Sequence, residues 1–164
     1  MSELPLDLRY EPVMPADRTP GIGCIGAGFI MADCHLVAYR NAGFNPVAIA
    51  NRTLSRAQEA AERHGIDKVY EDYEELLADP AVEVVDIALP PDLQRGVIDR
   101  ICEGYAGKIR GILAQKPLAM TYEDARHIVE TCSAAGITLA VNQNMRYDQS
   151  IRALKDLLGR GLLG

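Results

Sequence analysis

Six short apolar runs, separated by longer and mostly amphipathic stretches, constrain this chain more than any other feature. The runs are Ile22–Ile25, Val47–Ala50, Lys68–Tyr70, Val84–Ala88, Ile109–Ala114 and Thr138–Val141. Each is short, partly β-branched and apolar on successive residues, the pattern of a strand buried on both faces. The intervening segments carry helical spacing. In 122–135, Ala125, Ile128, Val129 and Cys132 recur every three to four residues, with a Thr121/Asp124 cap before them and Gly136 after. In 92–103 the stripe is Leu93, Val97, Ile98, Ile101 and Cys102. In 54–64, Thr53 is the expected cap and Gly65 the stop. Ile151, Leu154, Leu157 and Leu158 mark one more helix near the end. Strand and helix in alternation predict an α/β fold with a doubly wound parallel sheet, which binds ligands outside the carboxyl ends of its strands.

Composition narrows the function classes. The 164 residues carry 17 Lys and Arg against 23 Asp and Glu, a net charge of −6 that argues against a nucleic-acid partner. The longest apolar run, Gly21 to Ala32, is interrupted by glycine and stops at Asp33, short of a membrane span. Glu3, Asp7 and Glu11 stand where a signal peptide would be basic and then apolar. Four dispersed cysteines, with no C-x-x-C spacing, predict reduced buried thiols in a cytoplasmic protein and no metal site. Residues 1–20, with Pro5, Pro12, Pro15 and Pro20, read as an irregular arm.

The first run leads into Gly26-Ala27-Gly28-Phe29-Ile30-Met31 and then a helix. Gly26 allows a tight turn, Gly28 lets the backbone approach a pyrophosphate, and the helix N-terminus offers free N–H groups to phosphate. Met31 stands at the third fingerprint position, usually Gly or Ala, so helix and strand must pack more loosely or with a shift. The second strand ends at Asn51-Arg52-Thr53. An NAD site normally places an acidic residue there for the ribose hydroxyls. Uncharged Asn51 beside Arg52 favours NADP over NAD, with Arg52 pairing to the 2′-phosphate.

The later strand ends carry Leu89-Pro90-Pro91-Asp92, Gln115-Lys116-Pro117-Leu118 and Asn142-Gln143-Asn144-Met145-Arg146-Tyr147. Lys116 is the one lysine among them, well placed to hold a substrate oxygen or a ribose hydroxyl, and Pro117 restricts its loop, with a cis turn as one option. His35, His64 and His127 fall on helices rather than at strand ends and are read as structural. Methyl transfer from S-adenosylmethionine also uses a glycine turn, but Asn51 offers no acidic ribose ligand and Lys116 would go unexplained.

Taken together, GCIGAGFI, ANRT, EELLADPAVEVVDIALPPDLQ, LAQKPLA and VNQNMRYDQSIRALKDLLGRGLLG resemble the glucose–fructose oxidoreductase, inositol 2-dehydrogenase and MocA-like oxidoreductases over residues 21–164. The resemblance implies a Rossmann domain that binds NAD or NADP and an enzyme that moves a hydride to or from a sugar- or polyol-like hydroxyl. It implies that Gly26, Gly28, Phe29 and Ile30 hold the pyrophosphate, that Asn51 and Arg52 read the adenosine ribose, and that Leu89 and Pro90 contact the nucleotide. It places Asn144 toward the nicotinamide and gives Lys116 the catalytic role of polarising the substrate oxygen. Two departures stand out: Gln115 replaces the Glu of a Glu-Lys-Pro motif, and Leu89-Pro90-Pro91-Asp92-Leu93-Gln94 replaces Thr-Pro-Asn-x-x-His. By the same resemblance, residues 21–147 form the cofactor domain and 148–164 a helix leading to a second α/β substrate domain, absent here, through which family members homo-oligomerise. The expectation is a cofactor-binding half, inactive by itself. A non-catalytic nucleotide-binding module and half of a redox-neutral, NAD-using glycosidase are the alternatives.

Overall fold

The structure, a computed structural model, describes residues 7–162. Pro5 of the predicted arm and the last two residues of the Gly161-to-Gly164 turn lie outside them. The strands are β1 (Gly21–Ile25), β2 (Asn45–Ala50), β3 (Lys68–Tyr70), β4 (Val84–Ile87), β5 (Gly111–Gln115) and β6 (Thr138–Asn142). All pair in parallel, in the order β3-β2-β1-β4-β5-β6. The helices are α1 (Leu36–Ala42), α2 (Leu54–His64), α3 (Tyr73–Ala78), α4 (Pro91–Gly104), α5 (Tyr122–Ala134) and α6 (Gln149–Gly159). This is the doubly wound α/β sheet predicted, and the direction of winding changes between β1 and β4.

Contacts divide the described residues into a larger unit, Asp17–Asn142, and a smaller one that joins residues 7–16 with residues 143–162. Asn45 Nδ2 donates to the Thr19 carbonyl at 2.9 Å and Arg18 to the Ala42 carbonyl, so the end of the arm belongs to the sheet domain. In the smaller unit, Arg152 donates to the carbonyls of Tyr10 and Glu11 at 2.5 and 2.7 Å and holds the arm against α6. No helix of the described residues is long and apolar enough to cross a membrane.

Strand alternation sends the apolar side chains of the larger unit into two cores. Ile25, Ala48, Ala50, Val85, Ile87, Ile112 and Ala114 face α3, α4 and α5. Ile22, Cys24 and Ile49 face α1, α2 and the turn that precedes α1. β5 starts two residues later than predicted, because the Ile109 N–H closes the end of α4 on the Tyr105 carbonyl at 2.8 Å. On α4 the inward stripe is Gln94, Val97, Ile98, Ile101 and Cys102; Leu93, expected in it, is half exposed. Val129, expected in the α5 stripe, is likewise exposed. Thr121 caps α5 as predicted, accepting from the Asp124 N–H at 3.1 Å, whereas Thr53 makes no side-chain cap on α2. Cys24, Cys102 and Cys132 are buried as expected, but Cys34 is exposed.

Asp79, at the end of α3, is almost fully buried. It receives Lys68 Nζ at 2.7 Å, the Ala81 N–H at 2.9 Å and the Tyr70 hydroxyl at 2.9 Å. The Lys68 hydrogen bond above all holds its carboxyl down to about 2. A carboxylate whose folded pKa lies below its unfolded value stabilises the fold above the unfolded value and loses that contribution as pH falls through the folded one. From about pH 4 down to about pH 2, protonation of Asp79 should therefore remove about 2 kcal/mol. Denaturant unfolding of the protein and of Asp79→Asn across that window checks this: the variant starts less stable and shows a flatter acid dependence.

Candidate functional site

Gly26 sits at φ +98°, and its N–H donates to the Ala50 carbonyl at 2.8 Å, so the turn after β1 is pinned to the end of β2. A Cβ there would lie 2.6 Å from the Ala88 carbonyl oxygen. Gly28 differs: a Cβ would meet nothing within 4 Å. The helix then opens as a π-helical turn, Ile30–His35, in which the Leu36 N–H bonds the Met31 carbonyl five residues back. Met31 is fully buried within this wider turn. Phe29 and Ile30 are exposed beside Gly28.

Asn51 ties the turn to the end of β2. Its Oδ1 accepts the Ala27 N–H at 3.1 Å and its Nδ2 donates to the Thr53 carbonyl at 2.8 Å, leaving one amide N–H for a ligand. Arg52 is exposed, with no partner among the described residues. A small cavity of about 250 Å³ opens alongside, lined by Gly28, Phe29, Asp33, Arg56 and Arg63 among others. Arg56, on the first turn of α2, was not anticipated from the sequence.

At the ends of β4 and β5, Leu89 is half buried and Pro90 caps α4. The Lys116–Pro117 peptide is cis, and the Lys116 side chain is exposed. Its N–H donates to Gln115 Oε1 at 2.9 Å, so the residue in place of the motif's Glu fixes the loop backbone. Gly26, Gly28, Phe29, Ile30, Asn51, Arg52, Leu89, Pro90 and Lys116 thus all belong to the carboxyl-end turns of four strands in the larger unit. Asn144 begins a 3-10 turn, Asn144–Tyr147, in the smaller unit.

Beneath this surface lies a buried polar cluster. Asp86 projects from β4 toward the π-helical turn and α1, where its Oδ2 receives the Tyr39 hydroxyl at 2.6 Å and lies 2.7 Å from His35 Nδ1. The other ring nitrogen of His35 is 2.6 Å from Asn142 Nδ2, at the end of β6, and the Nδ1–H tautomer satisfies both contacts. Asp86 Oδ1 has no partner among the described residues. Burial, and then the Asp86 carboxylate, push the Tyr39 phenol up. His64 Nε2 lies 2.7 Å from the Ala32 carbonyl and His127 Nε2 2.8 Å from Asp99 Oδ1.

Comparison with known proteins then decides the family. A family profile described as an oxidoreductase family with an NAD-binding Rossmann fold, the GFO/IDH/MocA group, matches residues 21–143. The chain belongs to this family. Among family members, a 1,5-anhydro-D-fructose reductase of Ensifer adhaerens is 34% identical over 142 residues, covering 87% of this chain and 41% of that protein. The crystal structure of an Agrobacterium radiobacter oxidoreductase in complex with NAD+, L-tartaric acid and magnesium superposes with a TM-score of 0.81 at 31% identity, over 89% of this chain and 42% of that one. A 3-ketoreductase from Actinomadura kijaniata, in complex with TDP-benzene and NADP, gives a TM-score of 0.75 at 30% identity, covering 88% of this chain and 45% of that one. The chain spans less than half the length of each of these relatives. They include complexes with NAD+ and with NADP, so an NAD(P)-binding domain is the common ground.

Proposed function

We propose that this chain is the cofactor-binding part of an NADP-dependent oxidoreductase acting on a sugar- or polyol-like hydroxyl. The observation that carries the reading is the convergence, at the carboxyl ends of β1, β2 and β5, of an open glycine cradle, Arg52 with no partner among the described residues, and exposed Lys116. The residues fit a dinucleotide. Gly28, Phe29 and Ile30 offer the pyrophosphate backbone N–H groups at the first turn, where a helix has no internal acceptors for them. Asn51 keeps one N–H for the ribose, Arg52 and Arg56 supply the planar donors that a 2′-phosphate suits, and Leu89 and Pro90 form the wall above.

The nicotinamide, when bound, supplies the hydride acceptor or donor. Lys116 donates from Nζ to a ribose hydroxyl of the dinucleotide and to the reacting oxygen, and its charge stabilises the negative charge that develops on that oxygen. By itself the chain binds dinucleotide and turns over little sugar or polyol. Vigorous dehydrogenase activity from the 164-residue chain would overturn that part of the reading.

Cofactor choice is tested by fluorescence titration with NADPH and NADH. NADPH should bind more tightly, and Arg52→Ala should weaken it about tenfold while changing NADH affinity little, the loss of one charge-assisted contact. A preference for NADH, or an Arg52→Ala variant with unchanged NADPH affinity, contradicts the assignment.

A further inference from the structure

Gln94 is the fourth residue of α4, and its side chain is completely buried. All of its hydrogen bonds run to the segment that carries Lys116. Oε1 accepts the Gln115 N–H at 2.7 Å. Nε2 donates to the Gln115 carbonyl at 3.0 Å and the Pro117 carbonyl at 2.9 Å, with the Leu118 carbonyl a longer third contact at 3.3 Å. One N–H and three carbonyls surround the amide, so only this orientation of its oxygen and nitrogen satisfies the site.

The contacts have a reason in the sheet. The β4–β5 ladder ends at Ile87 and Ala114, so the next residue, Gln115, has no strand partner on the β4 side. The Gln94 amide takes that place, exchanging one donor and one acceptor with Gln115 as a neighbouring strand would. It then extends past Lys116 to Pro117 and Leu118. The backbone on both sides of Lys116 is thereby tied to α4, while the lysine side chain itself stays exposed.

We propose that Gln94 is a positioning residue: it holds the Gln115–Leu118 backbone so that Lys116 Nζ is aimed at the dinucleotide and the substrate oxygen. The proposal rests on the assignment of Lys116 to the cofactor site. Misplacement of a functional group by about 1 Å costs on the order of a hundredfold in rate, which is why such a group needs a rigid support. Gln94 stands where the family pattern has a histidine. A neutral imidazole carries one donor and one acceptor on opposite sides of its ring, so it can keep one of these bonds but not the paired exchange with Gln115 together with the bonds to Pro117 and Leu118.

The test is a double-mutant cycle on NADPH affinity of the chain, with circular dichroism and thermal unfolding confirming that each variant is folded. Lys116→Ala should weaken NADPH about tenfold in the parent. In a Gln94→Met background, where size is kept and the hydrogen bonds are lost, Lys116→Ala should change affinity less than twofold, because the lysine is already misdirected. Gln94→His, which keeps one of these bonds, should restore only part of the Lys116 effect, a graded response that a purely structural role would not produce. If Gln94→Met does not fold, Gln94→Asn, whose amide is one methylene too short to reach both Gln115 and Pro117, takes its place in the cycle. A full tenfold Lys116→Ala effect in the Met or Asn background overturns the role of Gln94 and leaves Lys116 in the site. No Lys116→Ala effect in the parent overturns the assignment of Lys116 and, with it, this proposal.

Discussion

Replacing Gly26 by Ala should cost both the fold and the binding of dinucleotide, whereas replacing Gly28 by Ala should cost binding alone. At Gly26 the backbone is at φ +98° and a methyl group would lie 2.6 Å from the Ala88 carbonyl oxygen. Left-handed strain and overpacking together should remove about 3 kcal/mol. For a domain of this size that lowers the melting temperature by roughly 10 °C. NADPH affinity should fall more than tenfold, because the turn is anchored on β2 through its N–H to Ala50. At Gly28 the backbone is not left-handed and a methyl group meets only open space. Its thermal stability should stay within about 0.5 kcal/mol of the parent, while NADPH affinity again falls more than tenfold as the methyl group enters the cradle. Thermal unfolding and fluorescence titration of both variants decide the matter. A Gly28→Ala variant that binds normally would show that the cradle is not used.

The second large effect is expected beneath the site. Asp86→Ala leaves the Tyr39 hydroxyl and the His35 Nδ1–H buried with no acceptor, both having been served by Oδ2. Each orphaned group costs about 1–3 kcal/mol, so the variant should lose about 4 kcal/mol. Adding Tyr39→Phe to Asp86→Ala should cost nothing further and should recover part of the loss, since it removes one of the two orphans. Urea unfolding of the two single variants and the double variant measures this. A loss below about 1 kcal/mol in Asp86→Ala would mean that water, not the carboxylate, serves those donors.

The architecture was legible because its signals are local. β-branched apolar runs bounded by glycine and polar residues mark the strands, and their alternation with helical stripes leaves a parallel sheet as the arrangement that buries both faces. The strand-end residues followed, since the topology alone makes Gly26, Asn51 and Lys116 positions to watch. What escaped the sequence is long range. Asp86 meets His35 51 positions away, and His35 meets Asn142 107 positions away, so no spacing rule relates them. Gln94 did carry a usable signal, being in step with Val97, Ile98 and Ile101, but a polar residue in an apolar stripe reads as an interruption until the three carbonyls around it are known. Asn51 also carries a part that no motif announces: its amide accepts from the Ala27 N–H and donates to the Thr53 carbonyl, so it braces the turn.

The most direct test of the whole account is residue-resolved: titration of the isotopically labelled 164-residue chain with NADPH, followed through its amide N–H resonances. Saturable shifts confined to Gly26, Gly28, Phe29, Ile30, Asn51, Arg52, Leu89 and Lys116, with their immediate neighbours, are the result predicted. An absence of saturable shifts, or shifts centred away from the carboxyl ends of β1, β2, β4 and β5, would contradict it.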